Sequence, residues 1–106
     1  MSSLIIISTT FEKKEDGLKV AERFLDERLV ACAQLSAPVT SCYHWQGRVT
    51  TATEYILSLK TLSVLYEKVE KRLGEVHPYE VPEIVCSDIT RVSSEYLAWV
   101  ESEVSI

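Results

Sequence analysis

VTSCYHWQGRVTTATEYILSLK, Val39 to Lys60, is the stretch that decides the fold. In an extended chain Val39, Ser41, Tyr43 and Trp45 point to one face and Thr40, Cys42 and His44 to the other, while Gln46-Gly47 supplies a turn with a residue free to take positive φ. The return segment, Val49 to Lys60, is rich in Thr, Tyr, Ile and Leu. The pattern predicts a β-hairpin of roughly ten residues a side, longer than the usual strand of about five or six. Such an arm overhangs a 106-residue chain. Tyr43, Trp45 and Arg48 near its tip have the composition of an interface hot spot, so something outside the monomer is expected to cover it.

Upstream of the arm, Val30 to Leu35 reads as a short strand broken by Ala37-Pro38, because proline cannot donate to a central ladder. Leu4-Ile5-Ile6-Ile7 reads as a central strand buried on both faces that opens into a loop at Ser8-Thr9-Thr10. A helix from Phe11 or Glu12 to Leu29 follows, with Thr9 and Glu12 as a capping box. Its apolar stripe is Leu18, Ala21, Leu25 and Leu29, flanked by Val20 and Phe24, and Gly17 is its weak point. Downstream, Thr61 is placed to cap a second helix whose buried stripe is Leu62, Leu65, Val69, Leu73 and Val76. His77-Pro78 ends it, since the residue before a proline is pushed out of the α region. Tyr79 to Pro82 is a rigid extended loop, Glu83 to Ile89 a strand, and Ser93 the cap of a short helix turning Tyr96, Leu97, Val100 and Val104 inward. The order is β-α-β-β-α-β with an extra C-terminal helix, an α+β fold of the split βαβ kind. Both main helices then lie on one face of the sheet, and the other face is where subunits are expected to meet.

With 46% hydrophobic and 25% charged residues, the composition is that of one globular domain, taken here as 1–106. The formal charge of -5 and the lack of a basic run argue against nucleic acid as partner. The longest apolar stretch, Leu4 to Ile7, is far short of the roughly 18 residues of a membrane span, and Met-Ser-Ser lacks the basic start of a signal peptide. The expectation is a cytoplasmic protein. Three cysteines, Cys32, Cys42 and Cys86, form no Cys-x-x-Cys pair and read as reduced thiols. No nucleophile elbow, phosphate loop, dinucleotide fingerprint or H-E-x-x-H occurs, so the chain is not expected to be an enzyme.

Soft metal ligands are the more informative set. Cys42 and His44 leave the same face of one strand, a pairing that suits copper or zinc, yet no third ligand is placed beside them. The plainer reading makes Cys42 a small buried hydrophobe and His44 a surface residue. Cys32 and Cys86 lie in apolar stretches and read as buried thiols. In His77-Pro78-Tyr79-Glu80-Val81-Pro82-Glu83, two prolines pin an imidazole, a phenol and carboxylates in place. The segment is either a stiff helix stop or a ligand-facing loop, in which Glu80 and Glu83 offer oxygen ligands to a divalent cation.

Ala31-Cys32-Ala33, Tyr43-His44-Trp45-Gln46-Gly47-Arg48, Leu59-Lys60-Thr61, His77 to Ile84 (HPYEVPEI) and Tyr96-Leu97-Ala98-Trp99 resemble, in order and spacing, the divalent-ion tolerance family CutA. The resemblance implies a ferredoxin-like subunit in a tight PII-like homotrimer with hairpin arms pairing across subunits, and a role in tolerance to divalent cations, copper foremost. It makes Cys32 and His77 the metal-ligand candidates. Ser8 and Val76 stand where some metal-binding relatives carry a further cysteine and histidine. Tyr43, Lys60, His77, Tyr79 and Glu83 match positions around an inter-subunit cleft. Two other functions follow from the same fold: a PII-like sensor of a small anionic metabolite held by Lys60 and Arg48, and a trimeric scaffold with no metal role.

Overall fold

The computed structural model describes residues 3–106, so Met1 and Ser2, the first two residues of the Met-Ser-Ser weighed as a signal-peptide start, lie outside the described residues. The elements run β1 (Leu4–Phe11), α1 (Lys14–Asp26), β2 (Cys32–Leu35), β3 (Val39–Trp45), β4 (Arg48–Leu62), a 3-10 turn (Ser63–Leu65), α2 (Tyr66–Val76), β5 (Val85–Asp88) and α3 (Ser94–Glu103). The order is β-α-β-β-β-α-β-α, the expected β-α-β-β-α-β with its second strand divided into β2 and β3 around Pro38 and with a final helix. The central sheet is antiparallel throughout, in the order β2-β4-β1-β5.

The long strand β4 serves three partners, among them β2, whose Cys32 to Leu35 lie opposite Lys60 to Leu57. Leu62 back to Tyr55 pairs with β1, Leu4 opposite Leu62 and Phe11 opposite Tyr55. Arg48 to Glu54 pairs with β3 to make the arm. The hand-over falls at Glu54 and Tyr55. Gln46 (φ 50°) and Gly47 (φ 76°) both take positive φ between Trp45 and Arg48, the two-residue turn whose twist matches a hairpin. At the break before Pro38, Ser36 stands in for the ladder: its N–H donates to the Ile56 carbonyl and its hydroxyl accepts from the Ile56 N–H, each at 2.8 Å.

Because strand side chains alternate, Ile5, Ile7 and Phe11 of β1 and Leu57 and Leu59 of β4 share one face, where α1 and α2 cover them with Val20, Ala21, Phe24, Val69 and Leu73. A smaller cluster of Leu4, Ala31, Leu62 and Val100 seats α3 on the other side of the sheet end. Ser93 caps α3, its hydroxyl accepting from the Tyr96 N–H.

Several boundaries depart from expectation, each for a packing reason. β1 continues through Ser8, Thr9 and Thr10 to Phe11, because those residues find partners on the unusually long β4. The Thr9–Glu12 capping box therefore does not form, and α1 begins at Lys14 behind Lys13, which offers no side-chain cap. Gly17, expected as a weak point, lies where α1 approaches Leu35 so closely that an added Cβ would stand 2.8 Å from Cδ1. Leu18 and Leu25 are exposed, and the buried stripe is Gly17, Val20, Ala21 and Phe24. α1 stops at Asp26, where Arg28 takes the left-handed conformation (φ 60°), with Arg28 N–H donating to Leu25 and Leu29 N–H to Phe24. Thr61 caps nothing: it lies in β4, and its hydroxyl donates to the Leu29 carbonyl at 2.7 Å. β5 is four residues long, so Cys86 is exposed at the sheet edge, and Cys42 is exposed on the arm; neither is the buried thiol expected.

Candidate functional site

The structure brings Tyr43, Tyr79 and Glu83 together along the arm, between its root at Glu54 and its tip, where Trp45 faces Arg48. A recess of about 420 Å³ is lined by Glu12, Tyr43, Trp45, Tyr79, Glu80 and Val81. Next to it, a second of about 330 Å³ is lined by Thr10, Ser41, Cys42, Tyr43, Glu54 and Glu83. Tyr43 borders both. The Tyr79 hydroxyl donates to Glu54 Oε2 at 2.7 Å, tying the loop after α2 to the point where β4 passes from sheet to arm. Burial, and then the Glu54 carboxylate it faces, hold the Tyr79 phenol well above its ordinary range, so it remains a donor.

His77 stands behind Tyr79 and is fully committed. Its Nε2 lies 2.9 Å from the Thr10 carbonyl, and its Nδ1 accepts the Tyr79 N–H at 3.1 Å. A carbonyl only accepts and an amide N–H only donates, so the ring is neutral with its proton on Nε2. β5 begins opposite Ser8 and so does not reach Thr10, and the imidazole supplies Thr10 with the partner that the strand does not. The ring stacks on Phe11, centroids 4.3 Å apart at 12°, and meets Tyr79 at 4.8 Å. Burial lowers its pKa, opposed by the Thr10 carbonyl and the charges of Asp16 and Glu54.

The other two candidates lie elsewhere. Lys60 pairs with Ile6 and Cys32, six residues along β4 from Glu54, which at about 3.4 Å per residue is roughly 20 Å away. Its ammonium donates to Gln34 Oε1 at 3.0 Å and lies 5.9 Å from the Tyr96 ring centre. Burial, together with the neighbouring Cys32 thiol it bonds, raises the Tyr96 phenol. Cys32 thus belongs to the α3 end of the sheet and His77 to the arm end. Coordination by an imidazole needs a free ring lone pair, and His77 has none in this arrangement. Among the described residues no three His, Cys, Asp or Glu side chains come together as a metal-holding group. Within one chain, Cys32 and His77 do not fit a copper ion. Arg48 and Lys60, the two cations of the anion-sensor reading, are twelve residues apart on one strand, roughly 40 Å, and do not converge within one chain.

Sequence reasoning missed Glu54 and Glu12. Glu54 carried a signal: it is the sole carboxylate between Val49 and Lys60, in a segment otherwise of strand formers. Glu12 carried none, since its place depends on β1 running on to Phe11.

Residues 5–103 match the family model described as CutA1 divalent ion tolerance protein. The chain is 39% identical over 100 residues to the divalent-cation tolerance protein CutA of Pyrococcus horikoshii, covering 94% of this chain and 97% of that one. To the protein of the same name from Thermus thermophilus it is 36% identical, over 90% of this chain and 92% of the relative. The crystal structure of the divalent ion tolerance protein CutA1 from Ehrlichia chaffeensis superposes with a TM-score of 0.94 at 27% identity, over 100% of this chain and 99% of that one. Matched along nearly its full length in sequence and in fold, the chain belongs to the CutA1 divalent ion tolerance protein family.

Proposed function

We propose that the protein serves divalent-cation tolerance as a cytoplasmic, non-enzymatic homotrimer of ferredoxin-like subunits arranged like the PII signalling proteins, and that it responds to divalent metal ions, copper foremost. The observation that carries this reading is the family match from residue 5 to residue 103, across every element that builds the arm and its root. The arm supports the trimer: β3 and the first half of β4 pair only with each other, and Trp45 (60% exposed) and Val49 (72% exposed) stand on them uncovered. Open strand edges and bare apolar side chains are what strand addition by a neighbouring subunit covers. The site is the recess at the arm root, with Tyr43, Tyr79, Glu54 and Glu83 from one subunit. His77 holds Tyr79 and Thr10 in place there and is not itself a ligand.

The test is a titration of chelator-stripped, reduced protein with Cu(I), Cu(II) and Zn(II), with the mass of the assembly measured in solution. A mass of three chains with a fixed stoichiometry per chain is expected. Weak binding of every ion without fixed stoichiometry would refute direct metal binding, and a monomeric mass would refute the trimer.

A further inference from the structure

The sheet face turned away from α1 and α2 carries a polar strip that nothing within the subunit explains. Register places Lys60 of β4 between Ile6 of β1 and Cys32 of β2, and Ser58 between Ser8 and Gln34, while Ser87 of β5 lies beyond Ile6. Side chains that pair across strands leave the same face, so one ammonium, three hydroxyls and an amide stand together there. α3 covers only the end of that face at Leu4 and Leu62. The ammonium donates to Gln34 Oε1 at 3.0 Å and lies 5.9 Å from the Tyr96 ring centre, and among the described residues it has no carboxylate partner. Cys32 and Tyr96, the titratable groups beside it, bond each other. The hydroxyls of Ser8, Ser58 and Ser87 bond no other described residue.

In the trimer proposed above, neighbouring chains cover this face and withdraw the ammonium further from water. A charge buried without a counter-charge is strongly unfavourable, so covering Lys60 requires an anion. The arm, the element that reaches a neighbouring subunit, brings none: from Val39 to Thr53 it carries no Asp or Glu, and Glu54 at its root is held by the Tyr79 hydroxyl. An ammonium beside several unspent hydroxyl donors, with no carboxylate, is the donor set of an oxyanion site. We propose that the trimer closes around a small oxyanion, a phosphate or a carboxylate, held between subunits by the Lys60 ammonium with the hydroxyls of Ser8 and Ser58 and the Gln34 amide as further donors. The inference rests on the trimer of the preceding reading, and it is independent of which metal the protein answers to.

The experiment is calorimetric titration of the assembly, its mass verified, with inorganic phosphate and in parallel with succinate, at an ionic strength held constant with sodium chloride. Saturable binding of either anion is expected and names the source, and the bound anion should raise the melting temperature of the parent, because only the folded assembly holds the site. Lys60→Met should weaken binding by about tenfold or more, and Ser8→Ala and Ser58→Ala, which remove a hydroxyl and little bulk, by about threefold each. Lys19→Met, on the outer side of α1, should leave it unchanged. The serine variants carry the test should Lys60→Met fail to assemble. Unchanged affinity in both serine variants, or in a trimeric Lys60→Met protein, overturns the proposal. So does a parent trimer that binds neither anion saturably, in which case a neighbouring subunit's carboxylate is the partner of Lys60. A monomeric mass removes the trimer reading and this inference with it, whereas a trimer without anion binding removes the inference alone.

Discussion

Replacing His77 by alanine tests the assignment of its ring as a structural bridge. The imidazole joins β1, the end of α2 and the following loop through two hydrogen bonds, to Thr10 at 2.9 Å and from Tyr79 at 3.1 Å, and stacks on Phe11. In His77→Ala the Thr10 carbonyl, in a residue only 7% exposed, loses its partner. A buried acceptor left unpaired costs about 1–3 kcal/mol, and a lost aromatic stack about 0.5–1.5 kcal/mol. The Tyr79 N–H lies in a half-buried loop that water reaches, so its loss adds little. The expected destabilisation is about 3 kcal/mol, read by guanidinium unfolding at a fixed chain concentration, because the stability of an oligomer depends on concentration. His77→Gln retains a donor for Thr10 and should recover part of the loss. A His77→Ala protein within about 0.5 kcal/mol of the parent would refute the bridge. So would a stable variant that had lost a stoichiometric metal equivalent, since the ring would then have been a ligand.

The same ring predicts a pH dependence. Burial sets the folded pKa of His77 below the ordinary 6.5, so at pH values between the two the unfolded chain binds more protons. Stability should be full above about pH 6.5 and decline on acidification until the folded value is reached. Melting temperatures at pH 7.5 and 5.5 should differ more in the parent than in His77→Gln, and an equal difference would assign the effect to other groups. Thr9 is fully buried, and its hydroxyl has no partner among the described residues; Thr9→Val should therefore raise stability by about 1 kcal/mol, whereas a loss would reveal a bound water. Gly74 lies in α2 with nothing within 4 Å of an added Cβ, so Gly74→Ala should stabilise by about 0.5–1 kcal/mol in the same unfolding assay. A destabilised Gly74→Ala protein would place another surface against that helix face.

Local chemistry made the element order legible. Gln46-Gly47 announced the hairpin, the spacing of Leu65, Val69 and Leu73 the second helix, and Ser93 the cap of the third. What was illegible depended on distant partners. Ser8 to Thr10 read as a loop because polar residues commonly end strands, and only pairing with Leu57 and Ile56 on β4 keeps them extended. The end of α1 was hidden because Arg28, a charged residue, occupies the left-handed position that glycine usually announces; it is held there partly by its bonds to Glu103. At the site, Tyr43, Tyr79 and Glu83 could be named from the resemblance, but Lys60 could not be separated from them by residue type. Its removal to the α3 end follows from register alone, and the same register brings Glu54 beneath Tyr79.

The division of β4 among its partners also sets an order of assembly in time. Its arm half meets β3 across a two-residue turn, and isolated hairpins of that kind form in about 1–10 µs. Its other half must wait for β1, with Leu62 opposite Leu4, and β1 for β5, with Ile5 opposite Asp88. Both closures span most of the chain and are correspondingly slow. The arm is therefore complete while Leu57 and Leu59 are still uncovered, and in that interval a second nascent chain competes with the first chain's own β1 for the same edge. Chain concentration during refolding then decides between productive closure and aggregation.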